Sequence, residues 1–257
     1  MTGYYELASK IVIQFRLVIS TAFQMLVPFF ASYASAAKSH DAMETDATSN
    51  ELAAKAYLKS FRLVCLLAIP YFGYLACILP FFLTAWTGEY SRLFIAIGIM
   101  CLCGWFINTF ALPAFMLYLA TGRVHRVALT QLLIGCLNLV AGAIAGWLSG
   151  GMGVILVAMA SLVFGSMVAI CRFHREFQVD WKRCIPAAVF PLLIMNLLAA
   201  VFFDRQAVAW AGDGLPSAWV VIGLLVLPVF QLAIILRDEM VQQLLSQVYK
   251  SAARNMG

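Results

Sequence analysis

Charge is what this sequence has least of. Only 11% of its 257 residues are Asp, Glu, Lys or Arg, whereas 63% are hydrophobic, and the mean hydropathy is +0.91. Soluble domains carry about 25% charged residues, so a soluble fold is excluded and the chain reads as a polytopic membrane protein. Histidine is scarce as well: three residues, all in or beside connecting segments, leave no metal cluster. The cysteines (Cys65, Cys77, Cys101, Cys103, Cys136, Cys171 and Cys184) are odd in number and sit mostly inside apolar runs. They read as small hydrophobes, not as a disulfide framework. Catalytic signatures are missing too: there is no GxSxG, HExxH, CxxC pair or phosphate-cradling glycine loop. His125 and His174 are flanked by arginines and read as solvated boundary residues, and Asp204 and Asp213 lie in an expected outer loop beside Trp210. Nothing pairs as acid and base. An enzyme is not expected, nor a cofactor, a metal or a nucleic-acid partner.

What remains is a set of long apolar runs. About 20 apolar residues cross a bilayer, and seven segments qualify, near 5–34, 61–85, 92–120, 125–148, 151–172, 184–203 and 217–236. They form one all-α membrane lobe over 1–236, followed by an interfacial tail over 237–257. No charged leader or small-residue cleavage site precedes the first run, so no cleaved signal is expected. Proline sits within or beside most of the runs, where it kinks helices.

Loop charge sets the expected orientation. One side collects Lys38, Lys55, Lys59, Arg62, Arg123, Arg126, Arg172, Arg175, Lys182, Arg183, Arg237, Lys250 and Arg254. The other side has only Arg92 and Arg205, and its turn over 149–153 has no basic residue. Basic residues stay cytoplasmic, which puts the N-terminus outside and the C-terminus inside. The segment 35–50 is polar and acidic and reads as a cytoplasmic loop. The tail over 239–252 places Val241, Leu244, Leu245 and Val248 on one face, the pattern of a helix lying along the interface.

The first run, Tyr4 to Ala31, is unlike the others because it carries Glu6, Ser9, Lys10, Gln14, Arg16, Ser20, Thr21 and Gln24. At roughly 100° per residue, all eight fall within about 160° of arc. A half-polar helix in so apolar a chain should face protein or water inside the membrane. Arg16 lies too deep to reach a surface easily, and an ionisable group at depth is a functional hypothesis by default. The only acid within the runs, Glu6, sits about 15 Å further along the axis and one turn from Lys10, which is the spacing of an i, i+4 pair. The partner of Arg16 is then an anionic ligand or a structural group elsewhere. Asn108, Gln131, Asn138, Asn196 and Gln231 are further amides inside the runs, placed for helix packing or for ligand contact.

Several stretches occur in a telling order. Gly3-Tyr-Tyr-Glu-Leu-Ala opens a helix ending Val27-Pro28-Phe-Phe. Tyr57-Leu-Lys-Ser-Phe-Arg leads into a run with Ile69-Pro70 that ends Leu83-Thr-Ala-Trp86-Thr-Gly-Glu-Tyr90. Phe106-Ile-Asn108 with Pro113 and Ala120-Thr-Gly-Arg123 follows, and then Asn138 with the Gly150-Gly-Met-Gly-Val turn. In this order the chain resembles the polysaccharide-type flippases, the Wzx-like O-antigen and lipid-linked oligosaccharide translocases of the MATE-like superfamily, over residues 3 to about 175. Members of that family usually have twelve to fourteen spans in two lobes. Seven spans starting outside would match the C-terminal lobe, and an N-terminal lobe missing from this chain is implied.

The resemblance implies movement of an undecaprenyl-diphosphate-linked glycan across the bacterial inner membrane, through a cationic cavity. Arg16 would then be the leading cavity cation and Lys10 an auxiliary one. Gln14, Ser20, Thr21, Gln24, Asn108 and Asn138 would bind substrate, and Glu6 would serve coupling. Arginine suits a diphosphate because its bonds are charge-assisted and bidentate. The alternatives are a multidrug or toxin extruder of the same superfamily, a seven-helix receptor, and a non-transporting fragment that only packs against another lobe.

Overall fold

A computed structural model describes residues 2–24, 46–181, 184–213, 218–239, 241–243 and 246. Every element among them is helical: α1 (Thr2–Gln24), α2 (Asp46–Thr87), α3 (Arg92–Thr109), α4 (Leu112–Ala120), α5 (Val124–Glu176), α6 (Val189–Asp213) and α7 (Ala218–Ile235). The segment 25–45, which includes the expected end of the first span and most of the 35–50 loop, lies outside the described residues. So does most of the expected tail.

Among the described residues five helical stretches are long and apolar enough to cross a membrane: Ala53–Thr87, Arg92–Ala120, Val124–Glu176, Val189–Trp210 and Ala218–Ile235. Many of their outward side chains are large and apolar, as hydrocarbon surroundings would favour. Trp147 is 87% and Leu139 75% exposed, a state that water would penalise.

At 53 residues, α5 would be far longer than a bilayer is thick. It is two helices. Gly150 has φ 64° and ψ −154°, which breaks the helical path in a region essentially reserved for glycine. Close approaches then step symmetrically outward from it. A side chain on Gly153 would meet the Ala145 carbonyl, one on Gly146 would meet Val154, and one on Gly165 would meet Ile134. The two arms therefore run antiparallel as a hairpin, and the small residues on facing surfaces let the backbones come together. The turn falls where the sequence separated runs 125–148 and 151–172.

The chain divides into two compact units. The first contains residues 1–68 and 91–185. Within it α1 packs on α3 and α4, and α5 packs on α3 and α4. Ala111, Phe115, Ala169 and Ile170 form a buried cluster there. The second contains residues 69–90 and 186–257. Its core is Cys77, Phe203, Val220 and Leu227, with Tyr74 and Phe81 packed against it. The division falls within α2 just before Pro70, whose ring removes one backbone donor from the helix.

Local sequence explains the helix ends. Ser91 caps α3 by accepting from the Phe94 amide. Pro113 opens α4, so the apolar run 92–120 is bent at Phe110 and Ala111. Gly122, at φ 75°, closes α4 with the Arg123 amide donating to the Tyr118 carbonyl. That tight turn delivers Arg123 directly to the start of α5.

Two boundaries differ from the sequence reading. The expected span 184–203 starts at Val189 in the structure, because Cys184 to Ala188 are taken up in turns around Pro186. It continues to Asp213, so Asp204 belongs to a helix and not to a loop. There it accepts a hydrogen bond from the Tyr90 hydroxyl at 3.0 Å.

Candidate functional site

The packed face of α1 carries Ala8, Val12, Ile19 and Ser20, all buried. Arg16 falls on the same stripe, one turn from Val12, because residues three and four apart share a helix face. Its guanidinium therefore enters the protein. Nη2 donates to Asn108 Oδ1 at 2.8 Å, and the group lies 4.1 Å from the centre of the Trp105 ring.

A chain of hydrogen bonds continues inward from there. Asn108 Nδ2 donates to Ser166 Oγ at 2.8 Å, and Ser166 Oγ donates to the Leu162 carbonyl at 2.7 Å. Asn108 and Ser166 are 2% and 0% exposed, so the chain is fixed by packing. No carboxylate takes part. The ion pairs among the described residues are Lys55 with Glu51, and Arg123 and Arg126 with Glu176. Arg16 Nε is buried without a hydrogen-bond partner. The site is thus a half-buried cation, oriented by an amide and an aromatic face, with its charge uncompensated among the described residues.

The other expected site residues distribute differently. Glu6, Lys10, Gln14 and Thr21 lie together on the opposite, exposed side of α1, with Leu17 and Val18 among them. The i, i+4 ion pair between Glu6 and Lys10 is not formed among the described residues. Ser20 is buried and donates to the Leu17 carbonyl, so its hydroxyl is engaged within its own helix. Gln24 ends α1, and its side chain lies outside the described residues. Asn138 is exposed on the first arm of α5, as is Gln131. The structure therefore brings Arg16 and Asn108 together and sets Glu6, Lys10, Gln14 and Thr21 on a separate surface.

The amides of the second unit have a packing role. Asn196 lies against Gly73, where even a Cβ would overlap it. Its Nδ2 donates to the Leu192 carbonyl at 2.8 Å, and Gln231 Nε2 donates to Asn196 Oδ1 at 2.6 Å. Gln231 also reaches the Pro70 carbonyl at 3.3 Å. Amides so placed hold α2, α6 and α7 together where no water competes.

Two clusters escaped the sequence reading. His174, expected in solvent, is 3% exposed. Its Nε2 lies 3.0 Å from the Tyr57 hydroxyl and 3.8 Å from Cys184 Sγ, and Trp181 stacks on its ring at 3.9 Å. The signal was the i, i+4 aromatic pair Tyr57–Phe61, whose rings both meet the imidazole edge-on, with Phe173 stacked on Tyr57 and on Phe177 beside them. The second cluster is Glu176, which pairs with Arg123 and accepts from the Tyr118 hydroxyl at 3.0 Å. Among the described residues no group of three His, Cys, Asp or Glu side chains is placed to hold a metal. Comparison of the chain with protein-family models, curated protein sequences and solved structures finds no match.

Proposed function

We propose that this chain is a lobe of a transporter that moves undecaprenyl-diphosphate-linked oligosaccharide across the bacterial inner membrane, working with a second lobe. In this reading the α5 hairpin supplies two crossings and α1 another, giving seven spans with the N-terminus outside. The observation that carries it is Arg16: a guanidinium on the packed face of α1, oriented by Asn108 and Trp105, with no carboxylate paired to it among the described residues. Arginine held this way offers donors and net charge to a diphosphate, and low polarity around it strengthens both. The exposed polar side of α1, with Lys10, Gln14 and Thr21, would line the sugar path, and Glu6 would take part in coupling.

The resemblance of residues 3 to about 175 to the polysaccharide-type flippases selects this substrate over other anions. Arg16→Ala in the assembled transporter should abolish surface glycan while the protein still inserts in the membrane at parental levels. Unchanged glycan display in that variant would refute the assignment.

A further inference from the structure

We propose that the groove at the open end of the α5 hairpin is a binding site for an anionic phospholipid, its phosphate held by Arg126, Arg172 and Arg175. This goes beyond the translocation reading and does not depend on it. The groove encloses about 520 Å³, and these three arginines line it with Val168, Cys171 and Glu176. All six belong to α5: Arg126 stands near the start of the first arm and the others near the end of the second.

Charge balance is the first argument. Three guanidinium groups face one carboxylate, and that carboxylate is already engaged by Arg123 and by the Tyr118 hydroxyl. Arg126 stands 3.8 Å from it, and its Nε is buried with no partner. Neither Arg172 nor Arg175 pairs with a carboxylate among the described residues.

The helix field does not explain the cluster. Cations at a helix C-terminus complement its dipole, which accounts for Arg175. Arg123 and Arg126 stand at an N-terminus, where the free amide hydrogens already make the field positive and favour an anion. Phosphate matches both features, since guanidinium donors and its oxygens form short, charge-assisted bonds.

The source of the phosphate follows from what lies beneath. Val168, Cys171, Arg172 and Arg175 follow helical spacing along one face of the second arm. The same stripe continues away from the arginines with Phe164 and Met167, both exposed. A cationic head region above an exposed apolar stripe fits an amphiphile, with the phosphate among the arginines and acyl chains along the helix.

The test uses the full chain in nanodiscs of phosphatidylcholine with and without phosphatidylglycerol, and native mass spectrometry to count retained lipid. The parent should keep phosphatidylglycerol in preference to phosphatidylcholine. The double variant Arg172→Gln/Arg175→Gln should bind it on the order of tenfold more weakly. Cys171→Phe, which fills the groove and leaves the charge unchanged, should lose it as well. Arg92→Gln, the same charge removed at the start of α3, should retain it. Equal retention of phosphatidylcholine, or full retention of phosphatidylglycerol by both groove variants, would overturn the site. Displacement of the lipid by millimolar inorganic phosphate, with equal thermal protection, would overturn the lipid as its ligand.

Discussion

Replacing Arg16 by Met separates a ligand-binding cation from a structural one. Met keeps an unbranched stem over Trp105 and removes only the charge and the donors. The charge-assisted bond to Asn108 is worth about 1.5–3 kcal/mol, and in membrane proteins such side-chain pairs average nearer about 0.6 kcal/mol. The contact with Trp105 adds roughly 0.5–2 kcal/mol. Against these stands the cost of keeping an uncompensated guanidinium half out of water, several kcal/mol for a buried ion. The lost donor at Asn108 Oδ1 is that same bond seen from its other partner, and Nδ2 keeps its bond to Ser166. These contributions nearly cancel, so Arg16→Met should unfold within about 1 kcal/mol of the parent. Unfolding is measured by denaturant titration in bicelles, and surface glycan is measured in cells carrying the assembled transporter. Near-parental stability with lost glycan supports the reasoning. A loss of 3–5 kcal/mol, the signature of breaking a buried ion pair, would refute it by exposing a counter-charge held in the folded protein.

Four other outcomes follow from the geometry. Gly150→Ala should cost about 1–3 kcal/mol, because φ 64° with ψ −154° is open essentially to glycine alone; a melting temperature equal to the parent's would contradict the hairpin turn. Gly153→Val should force the α5 arms apart, since even a Cβ would collide with the Ala145 carbonyl, and a cysteine pair at positions 145 and 154 should then crosslink less readily. Gln178→Gly should stabilise by roughly 0.5–1 kcal/mol, because residue 178 has φ 50° while the Val179 amide closes α5 on the His174 carbonyl; thermal unfolding reads the shift. Glu176→Gln should destabilise by about 1–3 kcal/mol, leaving Arg123 and Arg126 facing each other without their shared anion, and Glu176→Asp should recover part of that loss.

Low charge and long apolar runs, read by themselves, settled that this is a helical protein with several segments long enough to cross a membrane. Burial of backbone polar groups in hydrocarbon leaves little alternative to helices there. Local chemistry also marked the breaks. Gly150, Gly122 and Pro113 act through their own backbone geometry and Ser91 through a side-chain bond to an amide three residues on, and neither depends on distant residues. The helical wheel gathered the polar side chains of α1 within one arc, because that depends only on the repeat.

Which edge of that arc turns inward is a packing decision, and tertiary structure alone made it. α1 docks through Ala8, Val12 and Ile19, so Arg16 is drawn in with them while Lys10 and Gln14 stay out. No local pattern specifies Trp105, Asn108 and Ser166 as the lining around that guanidinium, since they come from two helices far along the chain. The contact of His174 with Tyr57 arises the same way, since it exists only once α2 and α5 have met, whereas Trp181 reaches the imidazole from the segment that directly follows α5. Periodicity fixes what a helix can show on each side; only the neighbours it packs against decide which side is shown.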